Sequence, residues 1–232
     1  MVGFSREARD GFDRFDRYEP PRMSGQGYLF FPHADWKKPI SSYAVDVRRR
    51  FESVNVFDMG VAPFTDRPES LTVRFDGVPD ASGVYMFVAD RGLVKQVSDR
   101  EEFDFVTSGE EKYLTLFVTD KADFLATMPL AFSMGSPFPN PCHPTMKLRY
   151  TLPYRWDDKG RLMREPYEVK IAVYDLQGRV VREIAHRKQE PGHYLTVWDG
   201  RTNTGRMTSA GAYVVRLTAG DFAAVKRITV IR

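Results

Sequence analysis

The sequence predicts an all-β chain: an extended N-terminal lead-in over residues 1–26, then two consecutive β-sandwiches over 27–134 and 135–232. Three observations predict it. Apolar residues alternate with polar ones at the two-residue period of a half-buried strand. The runs are rich in β-branched and aromatic residues. Turn pairs separate them: Asp76-Gly77, Ser82-Gly83, Arg91-Gly92, Ser108-Gly109, Gln177-Gly178, Asp199-Gly200 and Ala219-Gly220. Helical periodicity is scarce, and many short strands at such spacing mark a sandwich.

Taken in order, Asp10-Gly11-Phe12-Asp13-Arg14-Phe15-Asp16 and Glu19-Pro20-Pro21 form a lead-in that packs along the first sandwich or tethers it upstream. Leu71, Val73 and Phe75 then alternate with Thr72 and Arg74, while Val84–Val88 and Tyr113–Val118 read as strands by composition. At Met134–Pro141, prolines 137, 139 and 141 cannot supply a ladder of backbone donors, so a short, stiff connection falls there. Beyond it, Val169, Ile171 and Val173 point one way and Lys170 and Ala172 the other. Tyr213, Val215 and Leu217 repeat the pattern against Val214, Arg216 and Thr218. Trp198 ends a strand and fills the core, and Asp199 accepts from backbone amides of the following turn. Gly205 and Gly211 suit positive φ or close backbone approach.

Composition excludes some functions. With 42% hydrophobic and 13% aromatic residues the chain can build cores, so wholesale disorder is excluded. The net charge is +3, and the only tight basic cluster, Arg48-Arg49-Arg50, reads as a solvated strand end, so no nucleic-acid face is expected. A single cysteine, Cys142, rules out an intrachain disulfide. No stretch approaches the roughly 20 apolar residues that span a bilayer. Met1–Glu7 has neither the basic start nor the apolar segment of a signal peptide, leaving a cytoplasmic protein or a piece of a longer precursor.

Candidate chemistry is sparse. His33, His143, His186 and His193 make no ligand spacing, and His33 beside Asp35 lacks a glycine-framed serine. No glycine-rich phosphate loop is present. Asp10, Asp13 and Asp16 are the best metal candidates, since calcium takes six to eight oxygens. The EF-hand order is absent and Arg9, Arg14 and Arg17 neutralise the run, so the expectation is no cofactor, with calcium as the alternative. Cys142, next to His143, is an activated thiol or a buried one.

The tail has a more specific pattern. Asn140-Pro141, Pro144-Thr145 and Leu148–Pro153 are followed by Val173-Tyr174-Asp175 with Gly178-Arg179, then Gly192-His193 and Trp198-Asp199-Gly200-Arg201. Gly205, Gly211-Ala212-Tyr213, Leu217, Ala219-Gly220 and Lys226–Arg232 close the chain. From about residue 137 to 232 this resembles the immunoglobulin-like domain of the flagellar hook-capping protein family. It resembles still more the related C-terminal sorting domains of the bacterial type IX secretion pathway. The resemblance implies an Ig/fibronectin-like sandwich without catalysis. Its last domain would be an export address, cleaved or kept for surface attachment, reaching the cell surface or medium through the periplasm. It further implies that Asn140, Pro141, Tyr174, Asp175, Gly178, Trp198, Asp199, Gly200, Gly205, Gly211 and Tyr213 are structural. Lys226, Arg227 and Arg232 would contact the export machinery, and Cys142 would occupy an apolar core position.

More loosely, Asp10-Gly11-Phe12-Asp13, Glu19-Pro20-Pro21, Phe31-Pro32-His33, Asp35-Trp36 and Asp46-Val47-Arg48 resemble the β-domain that precedes such tails. Two departures stand out. Tyr154–Pro166 is longer than the expected link and reads as a protruding hairpin centred on Asp158-Lys159-Gly160, with Trp156 free to contact a neighbour. The missing signal peptide makes the resemblance imply a longer parent chain. Other readings stay open: a structural or adhesive subunit self-associating through strand edges, accessory domains of a secreted enzyme with its catalytic domain upstream, and a carbohydrate role resting on the tyrosines and Trp36.

Overall fold

A computed structural model describes residues 2–4, 7–8, 12–14, 16–18, 28–33, 42–48, 54–78 and 83–231. Among them the chain is nearly all strand, with one four-residue helix, and has the sheets of Ig-like β-sandwiches. It divides into two compact units. The first holds Met1–Thr127 together with Arg155–Met163; the second holds Met128–Tyr154 and Arg164–Arg232. The division thus falls ahead of the proline-rich stretch, and the expected hairpin packs with the first unit.

In the first unit the strands are β1 (Val2–Phe4), β2 (Arg17–Tyr18), β3 (Tyr28–Pro32), β4 (Ser42–Arg48), β5 (Val54–Ala62), β6 (Glu69–Phe75), β7 (Tyr85–Asp90), β8 (Leu93–Val97), β9 (Glu101–Thr107) and β10 (Lys112–Thr119), followed by α1 (Phe124–Thr127). The main sheet runs β1-β4-β3-β5-β10-β7-β8, with β2 also on β4, and β6-β9 forms a separate ribbon. Within the segment expected as an extended lead-in, β1 lies parallel to β4 and β2 antiparallel to it.

Alternation builds the core as expected. Leu71, Val73 and Phe75 of β6, with Phe103 and Phe105 of β9, cluster with Phe57, Leu114, Leu116 and Val118 of the main sheet, while Thr72 and Arg74 face out. Every residue of β10 is buried, because both its faces are covered. Its even positions meet the ribbon. On the odd face Phe117 packs on Phe124 of α1, and Thr115 lies under Trp156.

The second unit contains β11 (Ser133–Met134), β12 (Phe138–His143), β13 (Thr145–Leu152), β14 (Tyr167–Tyr174), β15 (Val180–Gln189), β16 (Gly192–Trp198), β17 (Gly211–Ala219) and β18 (Phe222–Val230). Their order is β11-β13-β12-β18-β17-β14-β15, with β16 on the other side of β13. β12 pairs antiparallel with β13 and parallel with β18, so it passes from one layer of the sandwich to the other. Met146, Leu148, Tyr150 and Leu152 of β13 face Val169, Ile171, Val173, Val215, Leu217, Ile228 and Val230 across a core that includes Trp198. Lys170 is exposed as expected. Ala172 lies on that same side as expected, opposite Arg216 of β17, and is buried there beside a register shift in the pairing of β14 with β15.

Candidate interaction surface

One turn is built three times, at Trp156–Leu162, Tyr174–Val180 and Arg201–Met207, and each of these residue pairs is bridged. In the first copy Asp157 N–H donates to Arg161 O at 2.9 Å and Gly160 N–H to Asp157 O at 3.0 Å. The second copy has Asp175 to Arg179 at 3.0 Å and Gly178 to Asp175 at 3.1 Å; the third has Thr202 to Arg206 at 2.8 Å and Gly205 to Thr202 at 3.0 Å. This is the three-residue hairpin loop whose last position is left-handed. The glycines there have φ of 87°, 79° and 80°, where a side chain is strained.

The leading aspartate fixes the loop. Asp157 Oδ1 accepts from the N–H groups of Lys159 at 3.0 Å and Arg161 at 2.8 Å, and Oδ2 from Arg161 Nε at 3.1 Å. Asp175 repeats this with Gln177 at 3.0 Å, Arg179 N–H at 2.9 Å and Arg179 Nε at 2.7 Å. The Arg179 backbone N–H and guanidinium hold the Asp175 carboxyl below its ordinary range. The sequence showed Asp175–Arg179 as a turn. The kinship of Asp157-Asp158-Lys159-Gly160-Arg161 with it was missed, although the shared Asp-x-x-Gly-Arg was there to be found.

Two of the three turns are seated on backbone. β7 pairs with β10 only from Thr115 to Thr119, so Tyr113 N–H is left to donate to Lys159 O, at 2.8 Å. A Cβ on Gly160 would stand 2.3 Å from Tyr113 O, so only glycine fits. Trp156 Nε1 donates to Thr115 Oγ1 at 3.0 Å, and its ring lies 3.5 Å from where a Cβ on Gly92 would be. The Arg161 guanidinium sits 4.8 Å from the Tyr113 ring centroid, and Leu162 is buried. In the third turn, Asn203 N–H donates to Val181 O at 2.9 Å, and its Oδ1 accepts from Glu183 N–H at 3.0 Å. That occupies part of the outer edge of β15. The middle turn differs: Leu176 and Val180 are 65% and 51% exposed, and nothing lies within 4 Å of a Cβ on Gly178.

The residues expected to be structural lie in the second unit as follows. Asn140, flanked by Pro139 and Pro141, replaces missing ladder bonds: its Oδ1 accepts from Thr229 N–H at 2.9 Å and its Nδ2 donates to Arg227 O at 3.2 Å. Trp198 is buried, its Nε1 donating to Arg201 O at 2.9 Å, and Asp199 Oδ1 accepts from Arg201 N–H at 3.0 Å. Gly200 leaves no room for a Cβ, which would fall 2.4 Å from Pro144. Tyr213 opens β17 beside Gly211 and donates to Ser209 O at 2.9 Å. Tyr194 does the same to Glu190 O at 2.6 Å; both have the tyrosine-corner geometry of Ig-like sandwiches. Burial pushes the Tyr194 and Tyr154 hydroxyls to higher pKa. Of the expected export contacts, Arg227 is exposed on β18, Lys226 is half-buried, and Arg232 lies outside the described residues.

The candidate catalytic and metal groups are dispersed. Asp10, Asp35 and Trp36 lie outside the described residues. Asp16 is buried and its Oδ2 accepts from Asp13 N–H at 2.9 Å, while Arg14 pairs with Glu7. Among the described residues, no three His, Cys, Asp or Glu side chains gather into a group able to hold a metal. His186 meets Glu168 at 3.1 Å across two strands, and His193 meets Thr151 at 3.0 Å. Cys142 is fully buried in the core, and burial pushes its thiol up. An open groove of about 330 Å³ in the first unit is lined by residues including Pro68, Arg91, Val106, Ser108, Lys112 and Lys159. The Lys112 ammonium there is already engaged, donating to Asp90 Oδ2 at 2.6 Å and Val106 O at 3.2 Å.

Fold and turns together define an immunoglobulin-like β-sandwich module in the second unit. Residues 158–221 match the family described as the FlgD Ig-like domain, the hook-capping family that the tail resembles, and this family is in general non-catalytic. Among solved structures, the chain is similar to dimeric latent PorU from Porphyromonas gingivalis at 13% identity and a TM-score of 0.33, covering 78% of this chain and 18% of that one. It is similar to a β-D-glucuronidase from Dictyoglomus thermophilum at 10% identity and a TM-score of 0.19, covering 88% and 35%. An FMN-binding β-glucuronidase from Facaelibacterium prausnitzii L2-6 aligns at 10% identity and a TM-score of 0.19, covering 87% and 37%. These likenesses are remote, and the chain spans less than two fifths of each of those proteins. No curated protein matches it. Among the described residues, no helix is long and apolar enough to cross a membrane.

Proposed function

We propose that this chain is the non-catalytic C-terminal region of a secreted bacterial protein, with its last domain acting as a type IX sorting and surface-attachment module. The observation that carries the reading is the FlgD Ig-like match over 158–221, framed by the Asn140-Pro141 opening and the closing Lys226–Arg232 sequence. Recognition without chemistry suits a domain whose titratable groups are dispersed and whose one thiol is buried.

The geometry also supports a mode of recognition. β18 is paired on one side with β17 along its length and is joined on the other to β12 and the Asn140 amide. Its second edge is engaged from Arg227 to Ile231, so strand addition is disfavoured over that part, and a receptor there would read side chains of its outer face. Ala223, Val225 and Arg227 are the exposed positions on that strand's outward side.

The test is a fusion of the whole chain to the C-terminus of an inert reporter carrying a signal peptide, in a bacterium with the type IX machinery and in an isogenic strain without it. Residues 135–232 alone would be a poor probe, because Arg155–Met163 packs with the first unit. Reporter at the surface or in the medium of the competent strain alone supports the reading. Equal periplasmic retention in both strains shifts it to a structural subunit.

A further inference from the structure

The seat for the first hairpin reads a pattern more than an individual sequence. Tyr113 N–H takes the carbonyl of the fourth residue of Trp156–Arg161, Tyr113 O admits only glycine at the fifth, and the Tyr113 ring takes the arginine at the sixth. Thr115 and Gly92 receive the leading aromatic. The residue type at positions three and four is not selected by any of these contacts. The pattern is aromatic-Asp-x-x-Gly-Arg, and the chain carries it once more, as Tyr174-Asp175-Leu176-Gln177-Gly178-Arg179. That second copy has the same bridge, the same loop bonds and the same left-handed glycine, and it is preformed and exposed. It also offers apolar flanks: Val180 stands at the position of Leu162, which is buried in the seated copy.

We propose that the face of β10 marked by Gly92, Tyr113 and Thr115 is a recognition site for aromatic-Asp-x-x-Gly-Arg hairpins, whose partner in trans is the Tyr174–Val180 turn of a second copy of this chain. The cis hairpin, Trp156–Leu162, holds the site by default, and the two compete. Site and turn are different surfaces, so the association is head-to-tail and grows with concentration. Fixed loop bonds mean that little order has to be gained on docking.

The experiment uses the full chain in sedimentation across a concentration series. The double variant Trp156→Ala/Gly160→Val cannot seat its own hairpin and leaves the site open to another. Its average mass is expected to rise with concentration above that of one chain, further than wild type at equal concentration. Adding Gly178→Val, which strains the free turn at φ 79°, is expected to return it to a single chain. A synthetic peptide of residues 173–181 is expected to compete with the association. If the double variant lacks cooperative unfolding, Trp156→Ala alone repeats the series without a backbone change. A vacated-site chain that stays single throughout, or one that associates equally with Gly178→Val, overturns the proposal.

Discussion

Cys142 shows how one residue's surroundings decide its chemistry. Its side chain is fully buried among Met146, Trp198 and Val230 of the same core, and burial favours the neutral thiol over the thiolate that reacts. The native chain is therefore expected to resist thiol reagents and to be labelled only in denaturant; rapid labelling of the folded chain would contradict this. Asp175 is the opposite case. Its native pKa is lowered, with the backbone N–H of Arg179 the leading cause, so it binds fewer protons folded than unfolded. The stability it confers is complete above the ordinary carboxylate pKa of about 4 and is lost as pH falls through its lower native value. Asp175→Asn should melt earlier than wild type near neutrality and converge with it at acid pH. A difference that widened below pH 4 would refute the sign.

At the scale of elements, β18 and Asn140 explain each other. Prolines 139 and 141 remove two ladder donors from β12, and the Asn140 amide restores contact with β18 at two points. Asn140→Ala should cost about 0.5–1.5 kcal/mol in denaturant unfolding, since water can reach the freed groups. Removing Lys226–Arg232 is a different operation. It strips five residues of β18 that pair with Gly211–Val215, so loss of export by that deletion would report unfolding as readily as a missing address. Arg227→Glu changes an outward side chain and keeps the ladder. It is expected to leave the melting temperature within a few degrees and to lower surface delivery.

How much of this was legible varied with the kind of signal. Strands with strict alternation, such as Glu69–Phe75, could be read directly, because one buried face writes a two-residue period. β10 carries no such period, since both its faces are buried, and only composition announced it. Ala172 keeps the side that alternation gives it, opposite Arg216; its burial there, beside a register shift, is not written in the alternation. The hairpin at 155–163 was legible as a hairpin, and its place on Tyr113 and Thr115 was not. That place depends on where β7 stops pairing, which local sequence does not record.

For the whole molecule, the proline-rich stretch and the division into compact units do not coincide, and this bears on any experiment that cuts the chain. The proposed function is that the last domain acts as a delivery module through a folded surface. The most direct measurement is surface accessibility of a reporter fused ahead of residues 1–232, by protease or antibody on intact cells, in paired strains with and without the type IX machinery. The account predicts surface or released reporter only where the machinery is present, reduced by Arg227→Glu at unchanged folding. Reporter held in the periplasm of both strains, with the fused chain folded, would contradict it.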